Sequence, residues 1–501
     1  MRKSRLKKPI IVAFLILATI YLLLLIPEGE PPLPSQPTAV PQRQPFAWNQ
    51  DAYWQALEAK YQELQRTGCG DAQHQLAADL AAAGRLLAQI SQKELAPEAS
   101  EFADLEQKMF EAAPLVSSCN MRITEYIRFV TDMRGVVKRQ SRHWDMNTDE
   151  ARNTLYRLLY GGRTAIEEIM LQKPEEDYPV MIQGEEVASQ TPATNVHNVL
   201  LHSGDILVSR GGASTSALIA RGSDFPGNFS HIAFVYIDPR THVANIVESH
   251  IEVGVVVSTV EQYLKDKKLR VMLLRPRPDL PPIVKDPMLP HKAAEAAYKR
   301  ASEEHVPYDF AMDYKDHSKL FCSEVASSAY EQFGVHLWAG ISHLSSPGLR
   351  KWLSALGVRH FTTQEPSDLE YDPQLAVVAE WRDQATLRKD HFDNAVTEVM
   401  LEGADKGEEL HYQWYLLPLA RVVKGYSMAK NYFGKAGPVP EGMSATAALR
   451  SKYYDCRHEA IMNRLLPKAD KFKADHGYAP LYWELMKLAR SAKEELDGPP
   501  K

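Results

Sequence analysis

Amphipathic helices are the commonest pattern in this chain of 501 residues, and they occur in two separate parts. From residue 47 to about residue 172, apolar residues recur at the three- and four-residue spacing of a helix that packs on one face. Three such stripes are Trp54, Leu57, Tyr61 and Leu64; Leu76, Leu80, Ala83, Leu87 and Ile90; and Ile123, Tyr126, Ile127, Val130 and Met133. Similar stretches return from Leu375 to about Leu496. We therefore expect a packed helical domain in the first part and a second helical region at the end.

A β-hairpin is predicted between the two helical parts. Residues 232–237 and 243–247 are short apolar runs rich in β-branched and aromatic residues, and an Asp-Pro-Arg-Thr turn separates them. His231 opens the first run, while Glu248 and His250 close the second. The hairpin therefore carries three ionisable residues at one end.

The register of this hairpin decides which side chains meet. Residues 248 and 250 share one face of their strand, so both approach His231 if the paired residue numbers have an odd sum, for example with residue 231 opposite 248. An even sum presents Ser249 instead. A histidine beside a carboxylate is held in one tautomer and stays basic, and this is how a general base is arranged. The sequence leaves the register open.

Cys322 lies in the string KLFCSEVASSAYEQFG, where an apolar strand end or loop runs into an amphipathic helix. The helical spacing of Val325, Ala329 and Phe333 puts the cysteine within about one residue of the helix start. Unpaired amides and the helix dipole favour an anion there, so we expect an easily formed thiolate. The alternative is a structural cysteine buried under the helix.

Together these residues suggest a thiol nucleophile with a histidine base and an orienting third group. In this interpretation His231 takes the proton of Cys322 and later gives it to the leaving group. The backbone amide of Cys322 is a candidate oxyanion donor. Tyr308, in the preceding string VPYDF, either supplies a second donor through its hydroxyl or is a half-buried tyrosine that closes a loop.

The order of these motifs resembles that of a known family. GDIL at 204–207, SHIAFVY at 230–236, a strand that ends in glutamate, PYDF at 307–310 and FCSE at 321–324 follow one another along the chain. The order is similar to that of the permuted papain-like cysteine hydrolases, the YiiX/YebB-like branch of the NlpC/P60 superfamily. Ordinary papain-like enzymes have the cysteine first and the histidine later. The resemblance covers about 160 residues, from roughly residue 200 to 356.

This resemblance implies a fold and a set of roles. The fold is an α+β, circularly permuted papain-like domain with an antiparallel sheet, flanked here by helical regions. The resemblance implies Cys322 as the nucleophile, His231 as the base and Glu248 as the third polar residue. Because the family uses different third residues, His250 remains an alternative to Glu248.

Neither a metal nor a nucleic acid is predicted as a ligand. The remaining histidines have no metal-ligand spacing, and there is no HExxH or CxxC pair, so we expect no zinc site and no cofactor. The net charge of −6 gives no basic footprint for nucleic acid.

The amino terminus predicts a location. Residues 10–26 are apolar or small except for Thr19 and Tyr21, and as a helix they rise about 26 Å, near the lower limit for a membrane span. Basic residues precede this stretch, and no good signal-peptide cleavage site follows it. We expect a single-pass anchor in a bacterial inner membrane with the bulk of the chain in the periplasm; a cleaved signal peptide is the alternative.

The domain boundaries follow from these patterns. We expect a cytoplasmic tip and transmembrane anchor (1–28), a proline-rich linker (29–46), a helical domain (47–185), the catalytic domain (186–365) and a C-terminal helical region (366–501), the last introduced by a linker around residues 364–373. Cys69 and Cys119 lie at the ends of predicted helices, and an oxidising compartment would allow them to form a disulfide.

The functional prediction is a membrane-anchored cysteine hydrolase that cuts an amide or ester bond. Cell-wall peptides are the natural polymer in reach of a periplasmic enzyme. Two alternatives stay open. One is a lipid acyl hydrolase or acyltransferase of the same fold, and the other is a non-catalytic envelope scaffold or binding protein. An activated thiol would argue against the scaffold, because a binding module does not need one.

Overall fold

The computed structural model describes residues 7–28, 52–70, 72–119, 122–173, 179–433 and 435–498. The helices within these ranges are α1 (Lys7–Leu24), α2 (Ala52–Thr67), α3 (Ala72–Ile90), α4 (Ser100–Cys119), α5 (Ile123–Gln140), α6 (Asp149–Leu155), α7 (Gly161–Leu171), α8 (Ser214–Arg221), α9 (Val260–Lys265), α10 (Pro281–Lys285), α11 (Leu289–Glu303), α12 (Glu324–Glu331), α13 (Pro347–Leu356), α14 (Gln384–Asp405), α15 (Leu417–Tyr432), α16 (Ala445–His476) and α17 (Tyr482–Asp497). The strands are β1 (Met181–Gln183), β2 (Ala193–Val196), β3 (Val199–His202), β4 (Ile206–Gly211), β5 (His231–Ile237), β6 (Ala244–His250), β7 (Gly254–Thr259), β8 (Lys268–Pro276), β9 (Ser342–His343), β10 (Thr362–Thr363) and β11 (Leu375–Trp381).

A seven-stranded antiparallel sheet is the centre of the molecule. Its strand order is β1-β11-β8-β4-β5-β6-β7. Alternate residues of the strands point to opposite faces of the sheet and belong to two apolar clusters, one of which includes residues of α11 and α12. With helices around it, the molecule is α+β, as predicted.

The two helical parts share one hydrophobic core. The stripes predicted in residues 47–172 lie on α2, α3 and α5. Buried side chains of α3, α4, α5 and α7 pack in the same cluster as those of α13, α14, α16 and α17. Regions that are far apart in sequence therefore form one packed core, which local periodicity cannot indicate.

The linker predicted around residues 364–373 is wrong. Residues 366–370 form a buried 3-10 helix, and residues 375–381, expected to be helical, form strand β11 inside the main sheet. The segment LAVVAEW is a short apolar run, and such a run fits a buried strand and a helix equally well by periodicity. The sheet thus extends past the predicted end of the catalytic domain.

The predicted membrane anchor falls on α1. Val12, Leu15, Leu17 and other apolar side chains of this helix are exposed. Among the residues that the structure describes, no helix is found with the length and hydropathy required to cross a membrane. The tip at residues 1–6 and the linker at residues 29–46 lie outside the described residues.

A disulfide joins Cys69 to Cys119. Cys69 follows α2 and Cys119 is the last residue of α4, so the bond closes a 50-residue loop within the helical part. Cys322 is buried and Cys456 is exposed, and both are free thiols.

Candidate functional site

The hairpin of β5 and β6 brings His231 and Glu248 together. The register has Ala233 opposite Glu248, an odd sum, although it is shifted by two residues from a pairing of 231 with 248. Extended to the end of the strands, this register puts His231 opposite His250, and their ring centroids are 5.6 Å apart. His231 Nε2 lies 2.8 Å from Glu248 Oε2.

Glu248 is the centre of this group. Its side chain is buried, its other oxygen Oε1 lies 3.3 Å from His250 Nε2, and Ser258 Oγ donates a hydrogen bond of 2.9 Å to the same oxygen. Burial by itself would raise the pKa of Glu248, but the hydrogen bonds and charges of the two imidazoles outweigh burial and hold the pKa well below its usual range. Glu248 is therefore ionised and able to orient both histidines.

The two histidines differ in their protonation. Burial lowers the pKa of His231, and its contacts with Glu248 only partly offset that effect. For His250 the balance is reversed: burial lowers its pKa, but the hydrogen bond and charge of Glu248 prevail, and the pKa is raised. Near neutral pH, His231 is the neutral imidazole and therefore the better base.

Cys322 lies beside the backbone that flanks His231. It directly precedes Ser323, the N-cap residue of α12. Its Sγ is 3.9 Å from the carbonyl oxygen of Ser230, and the backbone N–H of Ile232 hydrogen-bonds to the sulfur. The backbone of Leu320 anchors the same loop, because Ser249 Oγ donates a 2.7 Å hydrogen bond to its carbonyl.

No hydrogen bond joins the Cys322 thiol to the His231 imidazole within the described part of the chain. The structure thus brings His231, Glu248 and His250 together, and it places Cys322 against the backbone of this group rather than against the imidazole. His231 faces Glu248 with Nε2. Its other ring nitrogen, Nδ1, has no hydrogen-bond partner among the described residues. That nitrogen is the one available to a thiol.

The expected low pKa of Cys322 is wrong for the resting protein. Burial, with a smaller contribution from negative charge on Glu365, raises the pKa of the thiol to about 12. The backbone hydrogen bond from Ile232 favours the thiolate but does not compensate. The position at a helix start suggested an anion site, whereas the dominant effect is the removal of the sulfur from water, and burial is not visible in the sequence pattern.

Two further groups lie close to the thiol. Burial is the main cause of the raised pKa of Tyr308, and negative charge on Cys322, Asp309 and Glu365 adds to it. The Tyr308 hydroxyl and the backbone N–H of Cys322 make no hydrogen bond within the described residues, and both are free to donate to a ligand. The two oxyanion donors expected from sequence are therefore not used by other groups in the described residues.

Glu365 is the site residue that sequence reasoning missed. It is 5% exposed, and burial raises its pKa to about 8, with Asp368 contributing. The carboxyl is consequently protonated at neutral pH and can donate a hydrogen bond. The sequence predicts a linker at this segment, and no motif in QEPSDL marks the glutamate.

Close packing holds the Glu365 segment against residues 227–229, just before β5. Ser367 Oγ accepts a hydrogen bond from the amide of Phe229 and donates one to its carbonyl, both 3.0 Å long. A Cβ on Gly227 would lie 2.1 Å from Ser367 Oγ, so only glycine permits this approach. On the other side, Ser327 of α12 donates a 2.7 Å hydrogen bond to Gln364.

His231, Glu248 and His250 could also hold a divalent metal ion. One ligand atom from each lies within 4.8 Å of the others, and two imidazoles with a carboxylate suit zinc and similar ions. Spacing in sequence could not reveal this set, because His231 comes from a different strand. The expectation of no metal site stays a prediction.

Comparison with known families points to a permuted papain-like domain. Residues 200–379, about a third of the chain, match the sequence model of a family described as permuted papain-like amidase enzymes, YaeF/YiiX, C92 family. These residues belong to the permuted papain-like family. The matched range runs from β3 to β11 and includes Cys322, His231 and Glu248. For a permuted papain-like domain, the α+β sheet and the chain order of histidine before cysteine are the expected features.

Other comparisons add little. The crystal structure of the metalloprotein yiiX from Escherichia coli O157:H7 is 20% identical, and the match covers 36% of this chain and 97% of that chain with a TM-score of 0.30. No curated protein matches the chain. The assignment to the permuted papain-like family therefore rests on the sequence match and concerns the sheet-bearing part of the chain.

Proposed function

We propose that the chain is a cysteine hydrolase of the NlpC/P60 type that cleaves an amide or ester bond at Cys322. One observation carries the proposal: the thiol lies against Ser230 and Ile232, the two neighbours of His231, within a segment that matches a family of amidases. A nucleophile in that position lies close in the fold to the neutral imidazole of His231 and the ionised carboxylate of Glu248.

In the proposed reaction, His231 acts as the base at the moment of attack. The thiol and the imidazole are both neutral at rest, because burial raises one pKa and lowers the other. Substrate binding brings Nδ1 of His231 onto the thiol, since catalytic hydrogen bonds often tighten only in the substrate complex. His231 then takes the thiol proton as the sulfur bonds to the carbonyl carbon, and Glu248 stabilises the imidazolium.

The remaining steps use groups beside the sulfur. The backbone N–H of Cys322 and the hydroxyl of Tyr308 donate to the oxyanion. Collapse expels an amine or alcohol, which receives the proton from His231 and leaves an acyl group on the sulfur. A water molecule, deprotonated by His231, then attacks this thioester and releases the acid and the free thiol.

We place the reaction on the periplasmic side of a bacterial inner membrane, with residues 10–26 as the anchor. Basic residues before this stretch support the orientation. The disulfide of Cys69 and Cys119 supports an oxidising compartment. Cell-wall peptides are then the amide polymer in reach, and lipid amides or esters are the second substrate class.

A metal-dependent hydrolase is the second candidate. The observation that favours it is the close group of His231, Glu248 and His250, which is complete without Cys322. A bound ion would polarise a carbonyl or activate water. It would also occupy His231 Nε2 and Glu248, so the two mechanisms exclude one another.

The test is hydrolysis of a panel of cell-wall peptides and acyl lipids by the full chain, with mass spectrometry of the peptide that contains Cys322. We expect an acyl adduct on Cys322 and losses of about 10²–10⁴-fold or more in Cys322→Ser and His231→Gln. Cys456→Ser is the matched control, because that thiol is exposed and remote in sequence.

Three outcomes would count against the cysteine mechanism. Activity that survives Cys322→Ser but disappears with a chelator would favour the metal-dependent enzyme. Activity insensitive to His231→Gln would remove the proposed base. Binding of panel members without any hydrolysis or adduct would favour an envelope scaffold.

A further inference from the structure

The exposed large apolar side chains are concentrated in two segments. Of those in the described part of the chain, all but five lie in residues 12–26 or in residues 414–433. Scattered apolar residues are ordinary on a protein surface, but a contiguous group marks a contact site. The second group, here called the α15 surface, comprises Trp414, Tyr415, Leu419, Val422, Tyr426, Met428, Tyr432 and Phe433.

The α15 surface belongs to a helix with two distinct faces. Leu417 and Ala420 are buried against Ala445 of α16, so one face of α15 packs on the protein. Leu419 and Val422 point away from that contact and are 61% and 65% exposed. Helical spacing of exposed apolar residues is typical of a helix that lies on an interface.

The α15 surface adjoins the carboxyl end of α1. Arg421 donates hydrogen bonds to the backbone carbonyls of Leu23, at 3.2 Å, and Ile26. Glu28, just beyond α1, lies 3.3 Å from Arg421 and accepts hydrogen bonds from Thr446 of α16. The apolar side chains of the two segments are therefore next to each other at one end of the molecule.

The segment that carries the α15 surface has basic but no acidic side chains, and one of its basic residues, Arg421, is paired with Glu28. Residues 410–440 contain no aspartate or glutamate, although the whole chain carries a net charge of −6. The same stretch has four basic residues, Arg421, Lys424, Lys430 and Lys435. Aromatic and aliphatic side chains among basic ones match a bilayer with anionic headgroups, where each basic residue adds attraction.

We propose that the α15 surface lies in the headgroup region of an anionic lipid bilayer, beside the end of α1. This inference rests on the proposed membrane location and not on the cysteine chemistry. Tryptophan and tyrosine are enriched at that depth because one end of each ring is apolar and the other is polar. The bilayer thus covers a surface that water would otherwise meet.

Docking of the α15 surface would fix the position of the candidate site above the membrane. Val423 of α15 packs with Val439 and Met443, and Phe310 packs on the same cluster. The ring of Phe310 contacts that of Tyr308, with centroids 5.0 Å apart, and Tyr308 is a candidate oxyanion donor. Packed side chains therefore connect α15 to Tyr308.

The test uses an environment-sensitive fluorophore on the full chain in phosphatidylglycerol-containing vesicles. Val422→Cys is labelled in a background with Cys322→Ser and Cys456→Ser, so that the label is unique and hydrolysis plays no part. Lys473→Cys is the matched control. It is exposed and lies on α16, about 40 Å along the helix from the contact with Glu28.

We expect the Val422 label to shift to the blue and to be quenched several-fold more than the Lys473 label by quenchers attached to lipid at headgroup depth. The quenching should weaken in neutral phosphatidylcholine vesicles and be independent of the protein-to-lipid ratio. Equal, weak quenching of both labels, with the protein still attached to vesicles, would overturn the inference and leave the anchor standing.

Two other results would also overturn it. A blue shift without lipid quenching would mean that protein, not lipid, covers the α15 surface. The occupant would be a second copy of the chain if the shift depends on protein density, and residues 29–51 of the same chain if it does not. Failure of the protein to float with vesicles would remove the anchor and the docking together. Neither result bears on the acyl adduct at Cys322, so the proposed reaction is judged separately.

Discussion

At the scale of single residues, Glu248 controls both histidines of the site. It lies 2.8 Å from His231 and 3.3 Å from His250, and it is ionised between them. Its charge raises the pKa of His231, whereas protonated His250 lowers it. Glu248 and His250 therefore act on the basicity of His231 in opposite directions.

Opposite shifts of the pH profile should follow from Glu248→Gln and His250→Gln. Loss of the Glu248 charge lowers the pKa of His231, so the acid limb of kcat/KM moves to lower pH, and loss of orientation reduces kcat by about 10²-fold or more. Loss of His250 moves the acid limb to higher pH with a smaller change in kcat. Full activity in Glu248→Gln together with an inactive His250→Gln would reverse the assignment of the third residue.

Glu365 should control the reactivity of the thiol in alkaline solution. Its pKa is raised to about 8, so it is ionised above that pH, and its charge raises the pKa of Cys322. In Glu365→Gln, alkylation of Cys322 by iodoacetamide should therefore start at lower pH than in the wild type. Glu331→Gln, at an exposed position of α12, serves as the control. Identical profiles for Glu365→Gln and wild type would separate Glu365 from the site.

At the scale of elements, the disulfide ties α2 to the end of α4. The cross-link restricts the unfolded chain over a 50-residue loop, for which chain entropy gives about 4 kcal/mol. The double variant Cys69→Ser/Cys119→Ser should lose about 2–4 kcal/mol in urea unfolding. Cys456→Ser should change the free energy of unfolding little, and an equally small change in the double variant would refute the prediction.

At the scale of the whole molecule, buried ion pairs connect the helical body to the sheet. Glu167 of α7 lies 2.8 Å from Arg382, which follows β11, and contacts Arg270 of β8. Arg270 also pairs with Asp390 of α14. These side chains are nearly inaccessible, so each charge depends on its partners.

Removal of the Glu167 charge should be costly. Glu167→Gln leaves Arg270 and Arg382 without their shared partner, and we expect a loss of about 3–5 kcal/mol in denaturant unfolding. Glu63→Gln, which breaks an exposed pair with Lys60, should cost less than about 1 kcal/mol. Comparable losses in the two variants would show that the buried network is not stabilising.

The same network predicts acid sensitivity. Burial by itself raises the pKa of Glu167, but its arginine partners hold it far below the ordinary range. A carboxyl with a depressed pKa stabilises the fold fully above its unfolded pKa of about 4.3, and the contribution is lost as the pH falls below that value. Glu167→Gln should therefore flatten the pH dependence of stability below about pH 4.

The sequence by itself determined the local features of this protein. Helical stripes such as Leu76 to Ile90 and the hairpin strands that follow His231 are carried by residues near one another. The chain order of His231, Glu248 and Cys322 is given by the sequence directly. Periodicity and turn chemistry act over a few residues, so they can be read without the fold. The family resemblance drew on the same short motifs.

Only the tertiary structure decided how distant residues meet. Strand register made Glu248 the contact of His231, the fold placed Glu365 where its charge acts on Cys322, and burial gave the Cys322 thiol a high pKa instead of a low one. The common core of the two helical parts is likewise invisible to periodicity. Desolvation and non-local pairing depend on what surrounds a residue in space, and for Cys322 that environment includes Ser230, 92 residues away along the chain.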